Sequence, residues 1–213
     1  MEEQNPSATN RNWRKSEVIA AAAQCFMERG YHAAKIDDVA ALLGCSKGRI
    51  YHHCASKLDL FIEVHREGMN RLFNANDAAL KEAAHKGANG IEALEIFLLA
   101  HARAMLENIA YETVVVQGVE LYRFATTTAD QRAQLDEIMR QRSEFERRLT
   151  DHLKAAIKDG TMRKHDVSIT AKVLLGGLQW TIIWYRPREN ETKAARNRLA
   201  AKMVAPLIDG LRA

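Results

Sequence analysis

The chain has 213 residues and 47% hydrophobic side chains, enough for a small domain beside a larger one. Only three prolines interrupt it, so long helices are permitted nearly everywhere, and the net charge of +4 is too modest to describe a nucleic-acid binder unless the basic residues are concentrated. Three cysteines, Cys25, Cys45 and Cys54, are odd in number and fall on predicted helices or beside a turn, which excludes a disulfide framework and suits a reducing compartment.

Residues 1–12 are polar, and a flexible N-terminus is expected there, with no signal peptide in so acidic a start. The first helix is predicted over 13–29, with Gly30 as its stop. Two short helices follow, near 36–43 and 46–53. Between Asp38 and Asp59 the chain carries no acidic residue, although it has 27 in all. That window has the spacing of a helix-turn-helix. Ala40 is the small residue where two helices cross, Gly44 makes the turn, and Ile50 pins the second helix to the first. Val39, Leu43 and Cys45 complete the apolar face, and Ser46 is placed to cap the second helix. Lys47, Arg49 and His52 then project outward as candidates for base contacts. Ser46, at the helix N-terminus, is a candidate for phosphate. An ordinary helical hairpin with a solvated basic face is the plainer alternative.

The stretch from Ile50 to Phe61, with Tyr51, His52, His53, Lys57 and Leu58, resembles the signature of the TetR family of bacterial transcriptional repressors. Ala21 to Ala23 and Phe26, Gly30-Tyr31, and Ile36 to Ala40 extend the resemblance over roughly residues 16–62. It departs at Cys54, where the family has Phe, and at Lys35, where a Thr cap is common. The resemblance implies an all-α fold, with a three-helix DNA-binding domain over 13–56 and a larger ligand-binding and dimerisation domain over 57–213. It implies phosphate contacts from Tyr51 and Lys57, and bases facing Lys47, Arg49 and His52.

Ser56 and Asp59 form a capping box for a fourth helix that meets no breaker before Gly87. A fifth apolar helix begins near Ile91, a sixth spans 112–124, and Thr128 with Gln131 caps a long seventh that ends at Asp159-Gly160. The eighth and ninth are predicted over 167–185 and 191–211, which brings the count to about nine. The longest nearly apolar run, 173–185, is short for a membrane span, so no membrane partner and a cytoplasmic location are expected.

Gly176 and Gly177 in the eighth helix cost about 1 kcal/mol each relative to Ala, which calls for close approach of another helix. With Leu199, Met203, Leu207 and Leu211 of the ninth they make the expected dimer interface, where the resemblance also places one. Two-fold pairing suits half-sites one DNA turn apart. His101, Gln117, Glu120, Tyr122, Gln179, Trp180 and Trp184 are the candidates for an effector pocket, since each sets a polar or aromatic group among apolar ones. Residues 177–187 look like the C-terminal motif of an acyl-CoA-responsive TetR subgroup, with Ile183 where an Arg is usual and Arg186 and Arg188 available to a thioester's phosphates. The expected function is a repressor released from a two-fold operator by a small apolar or amphipathic effector, an acyl-CoA thioester being one candidate. A ligand-independent architectural DNA-binding dimer is the second reading. An enzyme is the third and least supported, because no phosphate loop, nucleophile triad or metal spacing occurs; no cofactor or metal is expected.

Overall fold

The computed structural model describes residues 13–125 and 127–213, so the tail expected over 1–12 lies outside the described residues. The described residues hold ten helical segments and no named strand. They are α1 Lys15–Ala33, α2 Ile36–Leu43, α3 Lys47–Tyr51, α4 Lys57–His85, α5 Gly90–Glu107, α6 Ile109–Phe124, α7 Ala129–Lys158, α8 Val167–Gln179, α9 Thr181–Trp184 and α10 Lys193–Asp209. With the single turn α9 taken as the end of α8, these are the nine helices of the expected all-α layout.

Gly30 interrupts α1 at φ 72°, where the stop was expected, and a last turn runs on to Ala33. Gly44 ends α2 at φ 62° in the left-handed region, and the Cys45 N–H returns to the Ala40 carbonyl at 3.0 Å. Ser56 accepts from the Asp59 N–H at 3.0 Å and so starts α4 as expected. Asn89 and Thr128 cap α5 and α7 in the same manner. α6 begins three residues earlier than expected, because Asn108 alone separates it from α5.

One expectation fails at the eighth helix, which does not run unbroken to Tyr185. It ends at Gln179, and α9 is a separate turn beyond Trp180. Two glycines in its last turn weaken the helix there. Trp180, at φ −59° and ψ −17°, then hands the ladder to a tighter bond from Ile183 N–H to its own carbonyl.

Two hydrophobic clusters organise the molecule. The first gathers Phe26, Val39, Ile50 and Phe61, each no more than 1% exposed, under α2 and α3. It does not stop at the boundary expected between 56 and 57. Val114 and Leu121 of α6 and Leu135 and Ile138 of α7 belong to it, and Gln117 Nε2 donates to the Phe26 carbonyl at 3.0 Å. The DNA-binding head therefore sits on α6 as well as on α4. The second cluster packs α5 (Leu94, Phe97, Met105) against α4, α7 and α10, where Ala200, Val204 and Ile208 face inward.

Where α4 crosses α6, each helix supplies a glycine. A Cβ on Gly68 would lie 2.9 Å from Val115 Cγ2, and one on Gly118 would lie 2.9 Å from His65 Cδ2. Both distances are below what real Cβ atoms show, so only glycine leaves room at the crossing for the Val115 and His65 side chains as they stand.

Candidate DNA interface and effector cavity

The α2–α3 unit presents its polar face outward because Ile50 is wholly buried and Ala40 is 4% exposed, which fixes the roll of α3. Lys47, His52 and Tyr51 are exposed beside one another, and Arg49 is half-buried. Tyr51, at 45% exposed, is one of the few large aromatic side chains left in solvent. Ser46 holds the N-cap position of α3, yet its side chain makes no capping bond, contrary to expectation; the hydroxyl is exposed.

Two neighbours change the expected electrostatics. Asp37, just outside the acid-free window, reaches Lys47 Nζ at 2.8 Å. Both partners are exposed, so the pair is worth little and a phosphate competes with it readily. Lys57 has a structural task. Its ammonium donates to the carbonyls of Tyr31 (2.8 Å), Ala34 (3.0 Å) and His32 (3.3 Å), and it lies 4.6 Å from the Tyr31 ring centre. These carbonyls at the end of α1 lack helical partners, and a cation suits that end of the helix dipole. The side chain expected on a phosphate therefore ties α4 to α1, and burial pushes its pKa down.

Of the seven expected pocket residues, two line one cavity. His101 of α5 and Gln179 of α8 meet Met69 and Leu72 of α4, Val115 and Val119 of α6, and Arg142, Phe145 and Glu146 of α7 around a space of about 140 Å³. The other five are elsewhere. Gln117 is bonded to the head, and Glu120 is exposed. Tyr122 walls a shallow outer groove with Met139, Arg140, Ser143 and Arg147. Trp180 and Trp184 are 64% and 48% exposed and do not line this cavity.

Arg142, Glu112 and His65 escape a reading of the sequence alone. Arg142 falls in the apolar repeat Leu135, Ile138, Arg142, Phe145, Leu149 of α7, and an arginine at such a position is the signal that marks it. Burial pushes the Glu112 carboxyl up to about 8, against the pull of the Arg142 guanidinium. Burial first, then Arg142, pushes His101 down to about 4 and His65 to about 3, so both imidazoles are neutral.

These groups oppose one another in stability. Glu112, raised in the folded state, contributes fully below its ordinary 4.5 and loses that contribution as pH rises toward about 8. The two histidines contribute above 6.5 and lose theirs as pH falls toward about 4 and about 3. With two groups against one on the acid side, stability is expected to peak near 6.5 and to decline on both sides. Glu112→Gln should flatten the alkaline decline in a series of urea midpoints. An unchanged slope would remove Glu112 as its source.

The exposed apolar side chains Ile169 (60%), Val173 (62%) and Trp180 (64%) run with Gly176 and Gly177 along one face of α8. Leu207 of α10 lies beside Gly177 on that face, while Leu199 and Met203 are partly buried against the second cluster. Leu211 does not belong with them; it is 8% exposed and packs into its own core. The apolar span is also longer than the run 173–185. Val167–Trp184 reaches the length and mean hydropathy (1.3) of a membrane-crossing stretch, with 28% of it buried inside the protein. So open an apolar face calls for a covering partner.

Residues 18–64 match the pattern described as bacterial regulatory proteins, tetR family, and residues 87–208 match the tetracyclin repressor-like C-terminal domain. The HTH-type transcriptional repressor KstR2 of Rhodococcus jostii is 25% identical over 204 residues, covering 95% of this chain and 93% of that protein. The structure of the ketosteroid transcriptional regulator KstR2 of Mycobacterium tuberculosis superposes with a TM-score of 0.77 at 23% identity, over 96% of this chain and 97% of that one. AibR, solved in complex with isovaleryl coenzyme A and operator DNA, gives a TM-score of 0.67 at 23% identity, over 92% of this chain and 98% of that one. With a reading head, a long connecting helix and both halves of the pattern in place, the chain belongs to the TetR family and is a helix-turn-helix transcriptional regulator.

Proposed function

We propose that this TetR-family repressor binds a two-fold operator as a homodimer and leaves it when a small amphipathic molecule fills the cavity beside α4. One observation carries the reading. α4 seats the recognition unit through Leu58 and Phe61 and walls the cavity through Met69 and Leu72, so one helix touches both sites. A cavity with polar groups set among apolar walls disfavours the architectural reading, in which the second domain only dimerises. We read the chain as a cytoplasmic regulator and not as an enzyme. AibR's complex with isovaleryl coenzyme A keeps a thioester among the effector candidates, with Arg186 and Arg188 as its phosphate partners.

On this reading Lys47, Arg49 and His52 face bases, Ser46 and Tyr51 hold phosphates, and Lys57 steadies the head. The apolar face of α8, together with Leu199, Met203 and Leu207 of α10, is covered by a second copy of the chain. Replacing Tyr51 with Phe should weaken binding to every duplex alike while leaving the salt slope nearly unchanged, because a neutral hydroxyl releases no counterion. Replacing Arg49 with Ala should instead relax preference at one base pair, by about 1–3 kcal/mol if the pairing is bidentate. Titrations of specific and random duplexes at several salt concentrations separate the two. An Arg49 variant equally impaired on both duplexes would deny it a base-reading role.

A further inference from the structure

We infer that the cavity takes a compact carboxylate, a ring or branched chain of benzene-like size, with Arg142 as the anion's partner and His101 as a second donor. The inference rests on the effector-release reading and narrows it to a ligand class.

Arg142 projects from α7 into a wall made of Met69, Leu72, Val115 and Phe145. Among the described residues, none forms a hydrogen bond or an ion pair with its guanidinium. Two acids, Glu112 and Glu146, favour its charge without reaching ion-pair distance. Glu146 is paired with Lys172 on α8, and the Glu112 carboxyl is buried, 2% exposed, with Oε1 unpartnered. Arg142 is partly buried with its guanidinium at the cavity, and a guanidinium carries five donors in a fork that fits a carboxylate.

His101 supplies the second observation. It lines the same cavity at 1% exposure, and neither ring nitrogen has a partner. Phe145 holds the ring edge to face at 5.1 Å and 83°, so its free nitrogens are fixed in direction. A neutral imidazole offers one N–H to a ligand oxygen. The remaining lining is apolar apart from Ser143, Glu146 and Gln179.

Size limits the body. The space is about 140 Å³, and an apolar cavity of about 150 Å³ holds benzene. Met139 and Ser143 belong to this wall and also to the outer groove beside Tyr122, which marks the way in. Gln179, the last residue of α8, closes the opposite side next to the break at Trp180. An occupant therefore touches α4 and the end of α8 together.

The test compares acids with their neutral isosteres on the full-length protein by isothermal titration and thermal shift. Benzoate is set against benzamide, isovalerate against isovaleramide, with isovaleryl coenzyme A as a further probe. Each acid should bind roughly tenfold or more tightly than its amide, as expected for a hydrogen bond to a charged group. Arg142→Gln should remove that gap, and His101→Phe should weaken the acids more than the amides. Equal binding of acid and amide to the wild type, no binding of either, or binding of the thioester alone would each overturn the carboxylate. The acid and amide comparison needs only the wild type, so it decides even if an Arg142 variant fails to fold. Operator retention, measured in parallel by gel shift, keeps the regulator reading separate: DNA bound without ligand and released by the thioester alone preserves it while the carboxylate falls.

Discussion

Truncating Phe61 to Ala should lower stability by about 3–5 kcal/mol, the upper range for a core aromatic. Phe61 is fully buried and stands at the junction of α1 and α4. Its ring meets Phe26 at 5.4 Å and Tyr31 at 5.0 Å, both edge to face, and each such pair adds about 0.5–1.5 kcal/mol beyond burial. Tyr31 in turn lies under the Lys57 ammonium that closes α1. Removing one ring therefore loosens the stack that aims the recognition unit. Urea titration followed by circular dichroism should show the midpoint fall, with operator affinity falling too under conditions where the chain is still mostly folded. A loss below about 1 kcal/mol would mean the junction collapses around the gap and the aim of the head does not depend on this ring.

The second large effect is expected from charging the α8 face. Val173→Glu combined with Trp180→Glu puts four carboxylates into a two-fold contact, where they are desolvated and mutually repelled. Sedimentation should then report a single protomer at concentrations where the parent pairs. Operator affinity should fall by about 10²–10⁴-fold, the gain that linked half-site binding supplies. Both positions are more than 60% exposed in one copy, so the melting temperature of the isolated protomer should change little. That contrast separates lost pairing from lost folding. A variant that still pairs would move the interface to another face.

Much of this fold is readable from residues alone, and the misses have a common cause. Helix positions follow from caps and glycines, signals that act within one turn: Ser56, Thr128, Gly30 and Gly44 sit where their helices begin or stop. The apolar face of α8 follows from period alone. The pocket follows only in part: His101 and Gln179 line it, whereas Tyr122, Trp180 and Trp184 do not. Arg142, His101 and His65 each occupy a place in the inward repeat of their own helix, which is where an interior polar group has to be written. Trp180 and Trp184 mislead for the opposite reason, since large size suggests an interior position and both are open. Lys57 and Asp37 depend on contacts 23 to 26 and 10 residues away, beyond the reach of any local pattern.

At two points along the crossing of α4 with α6 a glycine lies directly under a side chain of the other helix, Gly68 under Val115 and Gly118 under His65. Surfaces that meet so closely have no slack for compression, and separation would open a void. With 29 residues, α4 is about 44 Å long, so a small push near its middle becomes a wider sweep at its tip. On the effector-release reading the crossing is the pivot, and its leverage depends on the smallest residue standing on each side.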